Sequence, residues 1–165
     1  MLHIIRKFTP EDWAAVAEIY TDGITKGKAT FADTCPTFEQ WDTSHLPNAR
    51  FVSVDERDVV VGFSTLSATS ARVPYKGVCE VSVYVAPSAQ QQSIGFSLLQ
   101  TLVDYAEQNG IWSLQCSLSP FNYASIAIHE KCGFRKVSIR EKIAKDIFGQ
   151  WQDTMWLERR SKTIL

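Results

Sequence analysis

The spacing of apolar side chains divides the chain into short strands and a few helices. Residues 93–108 repeat apolar side chains at helical spacing, which predicts the longest helix. β-Branched runs predict four central strands, at residues 51–54, 59–66, 78–85 and 111–118. A further short strand is predicted at residues 3–8. Capping residues and shorter patterns predict helices at residues 9–20, 38–45 and 122–132. Residues 23–36 are expected to form a loop, and residues 137–155 two closing strands. This order predicts one domain over residues 1–165 with a mixed α/β layered fold.

Composition narrows the functional classes. Hydrophobic residues make up 45% and charged residues 21%, as in a folded globular protein. Lysine and arginine total 17 against 18 acidic residues, so a nucleic-acid partner is not expected. The chain has no apolar run long enough for a membrane span or a leader, which predicts a cytoplasmic protein without a membrane partner. Its four cysteines stand singly, so we expect reduced thiols and no metal.

Glu80 is the first candidate for chemistry. Side chains alternate along a strand, so Glu80 shares one face with Ser82 and Tyr84, while Val83 and Val85 lie on the other. A carboxylate is costly to bury in the middle of a strand without a partner. Two alternatives follow from this pattern: a solvated sheet edge, or a wet cleft lined by Glu80.

Two further segments are candidates for ligand binding. The polar turn after Val85 leads directly into the long helix, and free backbone N–H groups at such a helix start can cradle an anion. A single glycine, Gly95, does not make a glycine-rich phosphate loop. In the second segment, Asn122, Ser125 and His129 follow one another at i, i+3 and i+7, which places them on one helix face for a single ligand.

These segments resemble the GNAT superfamily of N-acetyltransferases. Gln90-x-x-Ser93-x-Gly95 is similar to the cofactor turn of that family, with Ser93 in place of the usual first glycine. The block from Asn122 to Phe134 resembles the second recurrent element, and His129 replaces the tyrosine of many members. Further likeness to the phosphinothricin acetyltransferase group lies in the motifs Arg72-x-x-Tyr75 and Gly149-x-Trp151-x-Asp153.

The resemblance implies a fold and a cofactor. The fold is a three-layer α/β/α arrangement whose mixed, mostly antiparallel sheet splays at the cofactor site, and the cofactor is acetyl-CoA. Backbone N–H groups and the helix N-terminus, not basic side chains, are expected to hold the pyrophosphate. The implied cofactor-binding residues are Val83, Tyr84, Val85, Gln90, Gln91, Gln92, Ser93, Ile94, Gly95, Phe96, Asn122 and Ser125.

The resemblance also implies a reaction, which is acetyl transfer to the free amine of a small amino-acid-like substrate of the phosphinothricin or methionine sulfoximine type. Glu80 is the expected base, acting directly or through water, and His129 is a second catalytic candidate as acid or base. Backbone N–H groups near Val83 to Val85 would stabilise the oxyanion. The expected substrate-binding residues are Phe31, Arg72, Tyr75, Glu80 and Ser82.

Several alternatives remain open at the level of the sequence. The acceptor is alternatively a polyamine, an aminoglycoside or a protein N-terminus, or the chain is an acyl-CoA-binding module without turnover. His129 is alternatively a histidine on the helix surface, Arg72 a solvated charge, and Phe31 and Tyr75 core aromatics. A homodimer is expected, because related acetyltransferases are commonly dimers and the C-terminal strands are rich in apolar residues, namely Ile143, Ile147, Phe148 and Trp151.

Overall fold

The computed structural model describes residues 2–26 and 30–165. In chain order, its strands and helices are β1 (Ile4–Lys7), α1 (Trp13–Lys26), α2 (Phe38–Ser44), β2 (Arg50–Val54), β3 (Val60–Ala68), β4 (Val78–Val85), α3 (Ile94–Gln108), β5 (Ser113–Leu118), α4 (Tyr123–Lys131), β6 (Arg135–Lys145) and β7 (Trp151–Arg160). Among the described residues, no helix combines the length and the hydropathy needed to cross a bilayer.

The strands form one sheet in the order β1-β2-β3-β4-β5-β7-β6. Neighbouring strands run antiparallel except for β4 and β5, which pair in parallel. A parallel pair needs a long crossover, and α3 supplies it. The sheet is therefore mixed and mostly antiparallel, as the sequence analysis expected.

Register decides which side chains share a face of the sheet. Glu80 of β4 pairs with Ser67 of β3, Ser82 pairs with Thr65, and Tyr84 pairs with Phe63. Residues directly opposite each other in an antiparallel pair point to the same side. The three β3 side chains therefore lie on the same face of the sheet as their three partners on β4.

Helices cover both faces of the sheet. A cluster with α1 and α2 covers the Glu80 face, and its buried members are Val16, Ile19, Trp41, Val52, Val54 and Phe63. The larger cluster on the opposite face packs α3 and α4 against the strands and includes Leu66, Val81, Leu98, Leu99, Leu102, Leu114 and Ile126. Burying each large aliphatic side chain contributes about 1.5–3 kcal/mol, so these two layers hold the helices on the sheet.

Helix α1 is longer than the sequence pattern predicted. Thr9 and Asp12 form a capping box before it, with the Thr9 N–H donating to Asp12 Oδ2 over 2.8 Å. The helix continues to Lys26, whereas a loop was expected from residue 23. Ile24 is buried and extends the apolar stripe of α1, and an ion pair between Lys26 and Asp22 (3.0 Å) supports the last turn.

Candidate active site

Strands β4 and β5 separate in the middle of the sheet. They pair only over residues 78–80 of β4 and 113–115 of β5. Beyond that point β4 stays with β3 as far as Val85, and β5 stays with β7 as far as Leu118. The backbone of β4 from Val81 to Val85 is therefore paired on the β3 side and open on the β5 side. Such an open stretch offers N–H and C=O groups to an extended ligand.

A cavity of about 320 Å³ opens on the Glu80 face of the sheet. β3 and β4 supply one part of its lining, α1 and α2 another, and the segments that follow those helices complete it. The lining residues are Tyr20, Thr30, Pro36, Trp41, Ser44, His45, Phe63, Thr65, Ser67, Glu80, Ser82 and Tyr84. The volume matches a small molecule, and hydroxyl groups dominate the polar part of the wall.

Among the described residues that line this cavity, Glu80 alone carries a carboxylate, and none is a lysine or an arginine. Desolvation by the surrounding protein raises the pKa of Glu80, and the positive charge of Arg140 opposes that rise. The Arg140 guanidinium is held over the Trp156 ring, 4.2 Å from its centroid. A carboxylate with a raised pKa that lines a cavity is suited to accept a proton near neutral pH.

The turn between β4 and α3 has an unusual backbone. Gln91 and Ser93 have φ angles of 63° and 61°, in the left-handed region that favours glycine. Ser93 directly precedes α3, and the N–H of Ser97 donates to its carbonyl over 3.0 Å. The N–H groups before Ser97 lie in the first turn, where a helix leaves its donors without intrahelical partners. This turn fits an anionic group at the positive end of a 15-residue helix.

Close packing holds α3 near the open edge of β4. A Cβ atom added at Gly95 would meet Ile128 Cδ1 at 3.4 Å and Val85 Cγ2 at 3.6 Å. These are ordinary van der Waals distances, so α3 packs closely on α4 and β4 at this position. The same packing brings the N-terminal turn of α3 next to the separated strands, so the free N–H groups of that turn adjoin the open edge of β4.

Residues 5–156 match the family model of the acetyltransferase (GNAT) domain. The chain belongs to the GNAT family. It is 29% identical over 163 residues to a phosphinothricin N-acetyltransferase of Streptomyces coelicolor, with 94% of each chain covered. It is 26% identical over 158 residues to an L-methionine sulfoximine/L-methionine sulfone acetyltransferase of Salmonella typhimurium, covering 93% of this chain and 92% of the relative.

A solved structure of a GNAT phosphinothricin acetyltransferase from Sinorhizobium meliloti in complex with AcCoA superimposes with a TM-score of 0.88. The two chains are 27% identical, and the match covers 97% of this chain and 89% of the other. The predicted GNAT fold and enzyme class are thereby confirmed, and so is acetyl-CoA as the acetyl donor of the family. In this GNAT domain, the separated strands and the α3 turn are the features that fit the cofactor.

A lysine lies beside the turn between β4 and α3. Lys131 of α4 places its ammonium 4.3 Å from the centroid of the Phe96 ring, which belongs to the first turn of α3. The sequence analysis expected the backbone to hold the pyrophosphate without basic side chains. Lys131 adds one positive charge near that turn, because α4 packs against α3 in the folded chain.

Local hydrogen bonds and burial hold Asn122 and His129 of the predicted α4 ligand face. The Asn122 side chain accepts a hydrogen bond from the Ser125 N–H (3.2 Å) and so caps the helix. His129 is only 4% exposed, which excludes a surface histidine, and its ring packs edge-on against Phe134 at 5.0 Å. His129 Nδ1 lies 2.8 Å from the Ser125 carbonyl oxygen, which can only accept a hydrogen bond, so Nδ1 is the donor.

Burial decides the charge of His129. Desolvation lowers its pKa, against a smaller opposing effect of the hydrogen bond to Ser125. The neutral ring carries its proton on Nδ1, which leaves a lone pair on Nε2. In this form His129 can accept a proton at Nε2 and has none to donate from that atom.

The remaining predicted acceptor residues divide into two sets. Glu80 and Ser82 form the first set and line the cavity. The side chain of Tyr84, which was predicted as a cofactor-binding residue, also lines it and stacks on Phe63 at 5.1 Å with 19° between the rings. Burial raises the pKa of Tyr84, so its phenol stays neutral.

Phe31, Arg72 and Tyr75 form the second set. All three are exposed and lie outside the described cavity lining, and the Arg72 guanidinium sits 5.5 Å from the centroid of the Tyr75 ring. Phe31 and Tyr75 are therefore not core aromatics.

Sequence reasoning missed several cavity residues. Thr65 and Ser67 alternate along β3, so the period-2 pattern carried a signal, but only the register with β4 shows that they share the face of Glu80. His45 and Tyr20 line the cavity but are distant from Glu80 along the chain. Arg140, which acts on Glu80 electrostatically from outside the lining, is equally distant, and no local pattern connects these residues with Glu80.

Proposed function

We propose that this N-acetyltransferase transfers the acetyl group of acetyl-CoA to the primary amine of a small amino-acid-like molecule, with Glu80 as the proton acceptor. The observation that carries the proposal is the position of Glu80, on the cavity wall at the point where β4 and β5 part. The cavity lies on one face of the sheet and the α3 turn on the other, so acceptor and cofactor can meet through the gap between the strands.

When bound, acetyl-CoA would supply an activated thioester, whose C–S bond would break as the amine nitrogen bonds to the carbonyl carbon, so that CoA leaves as a thiolate that water can protonate. The acceptor enters mainly as an ammonium ion at neutral pH, and Glu80, with its raised pKa, takes the proton that blocks the nitrogen lone pair. Backbone N–H groups of the open stretch Val83–Val85 are suited to stabilise the negative charge that develops on the carbonyl oxygen. Val83, Tyr84 and Val85 thus contribute through the backbone, and Tyr84 also walls the cavity through its ring.

His129 has a narrower role than the sequence suggested. It is buried and neutral, with the proton fixed on Nδ1 by the Ser125 carbonyl. We therefore assign it to positioning α4 beside the cofactor turn, or to accepting a proton at Nε2. Direct proton donation to the departing thiolate from Nε2 would require the imidazolium form, which burial disfavours.

The relatives named for phosphinothricin and methionine sulfoximine support an amino-acid-like acceptor. Such a substrate carries a carboxylate, which needs a cation near the mouth of the cavity. Arg140 acts on Glu80 electrostatically, and Arg72 lies on the short turn before β4. Both guanidinium groups are therefore candidates for the carboxylate, and Ser82 is a hydroxyl contact inside the cavity.

One observation favours a second acceptor class. The described lining contains no lysine or arginine, and its charge comes from Glu80. An amine without a carboxylate, such as a polyamine or an aminoglycoside amine, would find hydroxyl groups and one negative charge in this cavity. Such amines therefore belong in the same substrate panel.

The test is thiol release from acetyl-CoA with a panel of amines. We expect phosphinothricin and methionine sulfoximine to be acetylated, and Glu80→Gln to lower kcat by roughly 10²–10⁴-fold, the usual contribution of a positioned acid or base. Glu18→Gln, on the exposed face of α1, is the matched control and should keep full activity. Unchanged turnover in Glu80→Gln would remove Glu80 from the mechanism, and no thiol release with any amine would contradict the function itself.

We further propose a cytoplasmic homodimer. The hairpin of β6 and β7 exposes apolar side chains, of which Ile139, Ile143, Phe148 and Trp151 are more than half exposed. β6 is an edge strand and exposed along almost its full length, so a second copy would cover both apolar surface and unpaired backbone. All four cysteines are free thiols, which suits a reducing compartment.

A further inference from the structure

His45 lies across β3 from Glu80. It directly follows α2 and lines the acceptor cavity. The next residue, Leu46, donates its N–H to the Leu66 carbonyl over 2.9 Å, and the Leu66 N–H donates to the Ala49 carbonyl over 3.1 Å. These bonds attach the segment to the β2 side of β3, whereas Glu80 lies on the β4 side. The two side chains therefore reach the cavity from opposite directions.

The orientation of the His45 ring is fixed by its hydrogen bonds. Nδ1 lies 2.7 Å from the Trp41 carbonyl oxygen and 3.0 Å from Ser44 Oγ. A carbonyl oxygen only accepts, so Nδ1 carries the proton and Nε2 carries the lone pair. The ring also stacks on Trp41, with centroids 4.8 Å apart and 31° between the planes. This packing leaves the imidazole little freedom to turn.

Arg50 holds the segment that carries His45. Its side chain is 6% exposed and donates to the carbonyl oxygens of Asp42 and His45, each over 2.7 Å. It also forms an ion pair with the Asp42 carboxylate and lies over the Trp41 ring at 4.9 Å. Burial and then the positive charge of Arg50 lower the pKa of His45, which favours the neutral ring.

Thr65 gives a second and independent observation. It is 1% exposed, lines the same cavity, and its Oγ1 is buried without a hydrogen-bond partner among the described residues. Buried hydroxyl groups almost always have a partner, so an unpaired one at a cavity wall indicates a polar group of a ligand. Thr65 belongs to β3, between the strand that bears Glu80 and the segment that bears His45.

We propose that His45 is a substrate-binding residue whose Nε2 accepts a hydrogen bond from the acceptor's ammonium group, with the Thr65 hydroxyl beside it. Glu80 and His45 then hold the nitrogen from two sides, which orients its lone pair once Glu80 has taken a proton. This inference rests on the proposed acetyl transfer and adds the second contact that positions the amine.

The experiment measures steady-state kinetics of His45→Phe and His45→Gln with a good acceptor from the panel. Phenylalanine keeps the stacking on Trp41 and loses both nitrogens, and glutamine keeps a polar group. A hydrogen bond to a charged group contributes about 1.5–3 kcal/mol, so His45→Phe should raise the acceptor KM roughly 10–100-fold. The KM for acetyl-CoA should stay unchanged, and His45→Gln should lie between His45→Phe and the wild type.

The matched control is His3→Gln, directly before β1, which should leave both KM values unchanged. Thermal unfolding of each variant separates a binding effect from a folding defect, and His45→Gln keeps the test valid if His45→Phe does not fold. An unchanged acceptor KM in both variants would overturn the proposal.

A pH profile gives a readout that a structural role would not change. Protonation of Nε2 replaces the acceptor by a positive charge, so the acceptor KM should rise at acidic pH in the wild type and rise less in His45→Gln. The charged and titratable groups around the ring are Asp42, Arg50, Glu80, Tyr20 and Tyr84. Glu80 titrates in both proteins, so the difference between the two profiles isolates His45. Identical profiles would contradict the proposal while leaving acetyl transfer intact.

Discussion

Glu80 faces Gln115 in the last residue pair that β4 and β5 share. Directly beyond this pair the strands separate, and the cavity lies on the same face of the sheet as the Glu80 side chain. The carboxylate therefore stands at the apex of the gap through which the acceptor can approach the cofactor. Its position depends on the pairing of two strands whose residues Glu80 and Gln115 lie 35 positions apart along the chain.

Removing the charge of Arg140 should move the acidic limb of the pH–rate profile. Desolvation by the cavity wall raises the pKa of Glu80 although its side chain is partly exposed, and the charge of Arg140 opposes that rise. Arg140→Gln should raise the pKa further, so the active carboxylate is lost at a higher pH as the solution is acidified. The measurement is kcat/KM for the acceptor against pH. Arg57→Gln, in the exposed turn before β3, is the control, and a limb that stays in place or moves to lower pH would contradict the expectation.

Glycine at position 93 should stabilise the fold. Ser93 has a φ of 61°, and a left-handed conformation costs a residue with a Cβ roughly 1–2 kcal/mol. Ser93→Gly removes that cost and loses part of the gain to the greater entropy of the unfolded chain. We expect a net gain of about 1 kcal/mol and a Tm about 2–4 °C higher by calorimetry.

The control for this substitution is Gln90→Gly. Gln90 lies in the same turn with a φ of −66°, which any residue adopts. Glycine there brings only the entropic cost, so its Tm should fall slightly. Equal shifts for both variants would show that the backbone at Ser93 is not strained.

Glu107 should make the free energy of unfolding depend on pH in the acidic range. It accepts hydrogen bonds from Arg159 (2.7 Å), Ser161 and Thr163 (both 2.6 Å), which lower its pKa to about 2. Because folding lowers the pKa of Glu107, its carboxylate stabilises the fold fully at pH values above 4.5, the pKa in the unfolded chain. This contribution is lost as the pH falls towards 2, the pKa in the folded protein.

The measurement is the urea midpoint of the wild type and of Glu107→Gln between pH 7 and pH 2. Partial exposure screens the interaction, so the contribution should be about 1 kcal/mol at neutral pH. The two proteins should differ at pH 7 and converge near pH 2. A constant difference across the range would contradict the assignment of the pKa to Glu107.

Charge on the β6–β7 hairpin should dissociate the proposed homodimer. Ile139 and Ile143 are 56% and 51% exposed on the edge strand. Replacing both with arginine adds repulsion and removes apolar surface, so light scattering should report a monomer for the double variant and a dimer for the wild type. Val73→Arg alters an apolar residue that is 77% exposed elsewhere and should remain a dimer. A monomeric wild type would end the proposal.

The sequence by itself determined the elements and one face of the site. Helical periodicity located α3 within a residue, and alternation placed Glu80, Ser82 and Tyr84 on one side of β4. The two blocks around Gly95 and His129 were sufficient to recognise the family and its cofactor. These features are local, because spacing along the chain alone fixes which side chains share a face.

Tertiary structure decided which distant groups complete the site. His45, Thr65 and Arg140 come near Glu80 through strand register, the segment attached to β3 and the β6–β7 hairpin. Register depends on pairing between strands, and a shift by one residue would turn every side chain to the other face. Burial of His129 and the left-handed backbone at Ser93 likewise arise only when α3 and α4 pack on the sheet. No pattern within one segment encodes these contacts.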